Sequence, residues 1–91
     1  MSSLDPNKQR TNLSKHGIDL AECEAVFDNP MLTREDTRQQ YVEQRLISLG
    51  WLKGKVVVLV WTDRADGPRL ISCREATFHE QKAYFKIYPP N

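Results

Sequence analysis

Six consecutive apolar residues, Val56-Val-Val-Leu-Val-Trp61, constrain the fold more than any other stretch of this 91-residue chain. Four of the six are valine and the run is too short to cross a membrane, so it reads as a strand apolar on both faces. Such a strand belongs at the centre of a sheet, covered on both sides by helices or by another chain. Lys53-Gly54 before it is a hairpin turn, and the preceding strand runs from Tyr41 through Val42, Leu46, Ile47 and Leu49 to a close at Gly50. Asp66-Gly67-Pro68 makes the next turn, and Arg69-Leu-Ile-Ser-Cys73 is the third strand. A chain of this length supports one core, so residues 1–91 are read as a single domain.

Helix signals flank the strands. Asp5 as N-cap, Pro6 at the first helical position and Gly17 after His16 define a helix over Pro6–His16. Its apolar content is thin, which predicts a surface helix with Lys8, Asn12 and Lys15 open to solvent or ligand. Asp19 and Glu22 form a capping-box pattern, and Leu20, Cys23, Val26 and Phe27 follow at helical spacing until Asn29-Pro30 stops the run. Met31-Leu32-Thr33 is read as briefly extended and Arg34 to Gln40 as a polar loop. Thr77 and Glu80 form another capping box, opening a helix to about Lys86. The expected fold class is α+β, with two N-terminal helices, a three-stranded or four-stranded antiparallel meander, and one C-terminal helix.

Thirteen Lys and Arg against twelve Asp and Glu give a net charge of +1. Any affinity for nucleic acid must therefore come from how charge is distributed. The two cysteines have no partner spacing for a disulfide framework or a metal knuckle, which predicts reduced thiols and a cytoplasmic setting. The N-terminus has no leader pattern, and no membrane association is expected.

Four elements in order carry a family resemblance: Lys8-x-x-x-Asn12-x-x-Lys15-His16-Gly17, Ala25-Val26-Phe27-Asp28-Asn29-Pro30, Glu43-x-Arg45-x-x-x-x-Gly50, and Ile71-Ser72-x-Arg74-x-Ala76-Thr77. Together they resemble the BrnT toxins. The resemblance implies a RelE-like fold, ribonuclease activity that arrests growth, and neutralisation by a BrnA-like ribbon-helix-helix antitoxin, with DNA engaged only through the antitoxin complex. The sequence departs from the family at two places. Only Met1-Ser-Ser-Leu4 precedes the first helix, where relatives carry an aromatic-rich strand, and Glu75 follows Arg74, where relatives carry a second cation.

Metal-free RNA cleavage needs a base near the 2′-hydroxyl, cations for the charge developing on phosphate, and an acid for the leaving oxygen. Arg45 and Arg74 are the leading phosphate binders, since guanidinium forks match phosphate oxygens; the alternative for each is a surface salt bridge. Glu43, read as sharing a strand face with Arg45, is a base or holds that arginine in place, with holding preferred. Lys15 is either an RNA contact or a cation suited to a helix C-terminus. His16 is either a proton carrier or a packed residue beside the cap glycine. Lys8 is a further candidate RNA contact, and Trp61 and Tyr84 offer rings to a nucleotide or pack in the core, with packing preferred. Neither histidine has a second ligand at metal spacing, so no metal or cofactor is expected.

Three functions are compatible with these residues. The first is an endoribonuclease toxin acting through Arg45, Arg74, Glu43 and Lys15. The second is a catalytically weakened module that binds its antitoxin, to which Glu75 and the near-neutral charge point. The third is a domain that forms a homodimer through its apolar strand and Trp61.

Overall fold

The computed structural model describes residues 3–90. The apolar run lies within strand β4 (Lys55–Arg64), at the centre of a five-stranded sheet ordered β1-β5-β4-β3-β2. Its neighbours are β3 (Leu46–Leu52) and β5 (Gly67–Glu75), both antiparallel to it. Lys53 and Gly54 both take positive φ, 49° and 80°, which is the two-residue turn whose twist matches a hairpin.

The sheet is larger than expected and is mixed. Ser3–Leu4 forms β1, pairing parallel with β5 at Arg69 and Leu70, so the short N-terminus does supply an edge strand. Leu32–Glu35 forms β2, antiparallel to β3, which takes part of the segment read as a polar loop. Conversely, β3 starts at Leu46 rather than Tyr41, and residues 41–45 are loop. Glu43 and Arg45 therefore do not share a strand face. Gly50 does not close its strand either: β3 continues to Leu52, and a Cβ at Gly50 would overlap Val26 Cγ1 of the helix packed across it.

Both faces of β4 are covered. Val57, Leu59 and Trp61 pack with Leu20, Cys23 and Val26 on one face, and Val56, Val58 and Val60 pack with Ala76 and Tyr84 on the other. Each fully buried aliphatic side chain contributes about 1.5–3 kcal/mol. The segment Leu20–Asp28 is a 3₁₀ helix. At three residues per turn, side chains three apart eclipse, and Leu20, Cys23 and Val26 are all fully buried. The strict spacing of three is the signal that separates this helix from an α-helix. Asp19 caps it through Ala21 N and also accepts from Gln9 Nε2, so the Asp19–Glu22 capping box does not form as expected.

Helix α1 (Pro6–His16) and helix α2 (Phe78–Ile87) end within a residue of expectation. Asp5 accepts from Asn7 N, Gly17 takes φ 70°, and Thr77 and Glu80 complete their capping box. Asn12 departs from expectation. It is only 3% exposed, because its side-chain amide docks on β5 beyond the end of β1: Oδ1 accepts from Cys73 N at 2.9 Å and Nδ2 donates to Cys73 O at 3.0 Å and Ile18 O at 2.8 Å. The amide stands where a further strand residue would, satisfying two backbone groups of the sheet edge.

Candidate nucleic-acid interface

The α2 side of the sheet is covered only in part. Toward the β4–β5 turn it opens into two grooves that meet. One, about 470 Å³, lies between α1 and β5 and is lined by Lys8, Thr11, Lys15, His16, Ile71 and Ser72, among others. The second, about 550 Å³, is bounded by Lys8, Tyr41, Glu43, Arg45, Arg64 and Arg69 over a floor of Thr62 and Ile71. Lys8 and Ile71 belong to both.

Local structure explains the convergence. Lys8 and Lys15 stand four before and three after Asn12, so they share the helix face that the Asn12 clamp turns toward β5. Thr62 pairs directly with Arg69 across the β4–β5 ladder, and Arg64 lies two residues beyond Thr62, so all three project to one face. A bulge opposite Val60 and Trp61 leaves Ile71 as an extra residue in β5, which lets adjacent Ile71 and Ser72 both line the first groove.

Arg45 enters from the loop before β3. The loop is organised by Asp36, whose side chain is fully buried and accepts from Arg38 Nε at 2.8 Å, Arg38 Nη2 at 2.7 Å and Tyr41 Oη at 2.8 Å. These bonds, the Arg38 guanidinium foremost, hold the Asp36 carboxyl far below the usual carboxylate range. Asp36 N donates to Arg45 O at 2.8 Å, and the Arg45 guanidinium sits over the Tyr41 ring.

The groove is electropositive. Five cations, Lys8, Lys15, Arg45, Arg64 and Arg69, line the joined grooves against two carboxylates, Asp5 and Glu43. None of the ion pairs among the described residues engages Lys8, Lys15 or Arg45. Glu43 is bonded to Arg64 Nη2 at 2.7 Å and Arg69 lies 3.9 Å from Asp5. The Arg64 bond, with the nearby charges of Arg69 and Arg45, lowers the Glu43 pKa. A carboxylate held ionised in this way is a weak base and a good anchor, and the cation it anchors is Arg64, not Arg45.

The structure thus brings Lys8, Lys15, His16, Glu43 and Arg45 to one surface. It does not bring Arg74, Trp61 or Tyr84 there. Arg74 makes a bidentate pair with Glu80, Nη1 to Oε1 at 2.8 Å and Nη2 to Oε2 at 2.9 Å, and lines neither groove. Trp61 is 8% exposed, packs edge-on against Phe27 and donates Nε1–H to Ser48 Oγ at 2.9 Å. Tyr84 is 4% exposed and donates to Pro30 O at 2.9 Å. Neither ring is presented to a nucleotide. Tyr41, Thr62, Arg64 and Arg69 belong to the surface but were not among the expected site residues; a correct β4–β5 register would have found the last three.

A family model described as ribonuclease toxin, BrnT, of type II toxin-antitoxin system, matches residues 4–80. The chain belongs to the BrnT family. The span matched to BrnT contains every residue named in the two grooves and ends at Glu80, the partner of Arg74. No curated protein matches the sequence. Among the described residues no group of three or more His, Cys, Asp or Glu side chains could hold a metal ion in this BrnT, and no helix is long and apolar enough to cross a membrane.

Proposed function

We propose that this BrnT is an endoribonuclease toxin of the cytoplasm that cuts RNA without a metal ion, arrests growth, and is neutralised by a ribbon-helix-helix antitoxin. The observation that carries this reading is the concentration of charge. A chain of net charge +1 gathers five of its cations into one concave surface. Phosphodiesters are bound by such clusters, and guanidinium groups aimed at one position stabilise the extra charge of a pentacoordinate phosphate. In this reading Arg45 and Arg69 hold the scissile phosphate, Glu43 fixes Arg64 beside it, and His16 and Lys15 serve the strand in the adjoining groove. Arg74 acts from outside the groove by tying β5 to the start of α2.

The weakened-module reading drew on Glu75. That side chain is paired with Lys55 at 2.6 Å and lines neither groove, so it sets no negative charge against a bound phosphate there. The test is inducible expression together with cleavage of a labelled RNA in EDTA. Growth arrest and cleavage that are both lost in Arg45→Ala and in Arg69→Ala, with melting temperatures kept, are the expected result. Wild-type protein that binds a co-expressed antitoxin yet leaves RNA intact would replace this function with the binding-module one.

A further inference from the structure

We infer that the nucleic acid is bound as an extended single strand whose backbone threads both grooves, with Lys8 at the junction and with Lys15 and the Arg45–Arg69 pair gripping different phosphates. This rests on the RNA-binding reading of the same surface and adds the form of the substrate.

The spacing of the cations suits more than one phosphate. Lys8 and Lys15 are seven residues apart on a helix, roughly 10 Å along its axis at 1.5 Å per residue, so side chains standing straight out from the helix present their ammonium groups to different phosphates of a strand. The spacing is fixed, because the buried Asn12 between them is bonded to both backbone groups of Cys73. Both lysines are without an ion-pair partner among the described residues, so neither must break a bond to meet a phosphate.

The floor of the second groove also has an unmet hydrogen-bonding group. Thr62 is 2% exposed, and its Oγ1 has no hydrogen-bond partner among the described residues. A buried hydroxyl left alone is unfavourable. It lies beneath Arg45, Arg64 and Arg69, in the position of a group satisfied when the groove is filled and its floor adjusts.

The shape selects a single strand. An A-form duplex presents its phosphates on a wide, stiff, convex cylinder and is read across many base pairs. The molecule's longest dimension is 35 Å, and five of its cations line concavities of about 470 and 550 Å³. A flexible strand can pass from one groove to the other at Lys8, whereas a duplex would span the rims.

Binding of 2′-O-methyl oligoribonucleotides, which cannot be cut through the 2′-oxygen, tests the inference by fluorescence anisotropy. Lengths of one to six nucleotides and a blunt hairpin duplex are compared. Affinity is expected to rise stepwise once the oligomer carries two or three phosphates, and the single strand should bind more tightly than the duplex. Lys15→Ala should weaken the longer oligomers about fivefold to tenfold at low salt and reduce the salt slope by about 0.7, with the mononucleotide unaffected and Lys15→Arg restoring both. Arg45→Ala should weaken every length. Affinity independent of length, a Lys15→Ala variant that binds hexamer as the wild type does, tighter duplex binding, or no binding at all would overturn the inference. Length-dependent binding without cleavage of ordinary RNA would instead remove only the ribonuclease reading.

Discussion

The guanidinium carbon of Arg45 lies 4.3 Å from the centre of the Tyr41 ring, and the Tyr41 hydroxyl donates to the buried carboxylate of Asp36. A loop lacking regular structure thereby holds a cation in one place: acid orients phenol, and phenol supports guanidinium. A cation–π contact at such a site is worth about 0.5–1 kcal/mol. Tyr41→Leu should therefore lower RNA affinity and cleavage about twofold to fivefold. Tyr41→Phe, which keeps the ring and loses the hydroxyl, should fall between the two proteins. Equal activity of all three, with unchanged melting temperatures, would show that Arg45 is placed by other means.

Gly50 is required by a close approach rather than by a turn. A methyl group there would overlap Val26 Cγ1, and Val26 is fully buried. Gly50→Ala should destabilise by about 1–3 kcal/mol, the usual cost of overpacking. Adding Val26→Ala should cost less than the sum of the two single changes. Urea titrations of the four proteins in the cycle measure the coupling, and strict additivity would contradict the clash.

The Asn12 clamp gives a second stability test. Asn12→Leu removes the partners of Cys73 N–H and two carbonyls, and about 1–3 kcal/mol is the expected loss. Amide hydrogen exchange at Cys73 should accelerate more than exchange at Leu59, which bonds within the sheet interior. A uniform change across both strands would argue that α1 is not held by this residue.

Acid should weaken the junction of β5 and α2. The Arg74 guanidinium, aided by Thr77 N–H, lowers the Glu80 pKa from its ordinary 4.5 to about 2. A folded-state pKa below the unfolded one means stability that is full above about pH 4.5 and lost as pH falls toward 2. Melting temperature should therefore decline over that window, and Glu80→Gln should flatten this part of the decline while lowering stability at pH 7. A wild-type profile indistinguishable from that of the variant would sink the assignment.

What was legible in the sequence was set by neighbours along the chain. The caps at Asp5, Gly17 and Thr77 and the Lys53-Gly54 turn are chemistry within four residues, and they place α1, α2 and the β3–β4 hairpin correctly. The central position of β4 followed from its two apolar faces. Tyr41 and Val42 have strand-forming side chains, yet β3 starts only at Leu46, because Asp36 recruits Tyr41 into a loop through a side-chain bond. Trp61 and Tyr84 pack in the core, the preferred reading of each, but the partners of their polar atoms, Ser48 and Pro30, come from other elements and are not legible locally. The groove was partly visible as Lys8, Lys15, His16, Glu43 and Arg45. Arg64 and Arg69 join it only through a ladder register that composition does not encode.

Gathering five cations on one surface leaves the rest of the chain with slightly more carboxylates than cations, so charge is unevenly spread over a molecule of almost zero net charge. Far from a polyanion such a body feels little net pull, but in the gradient close to one it experiences a torque. That torque favours approach with the cationic grooves toward the polyanion. Added salt screens this orienting effect.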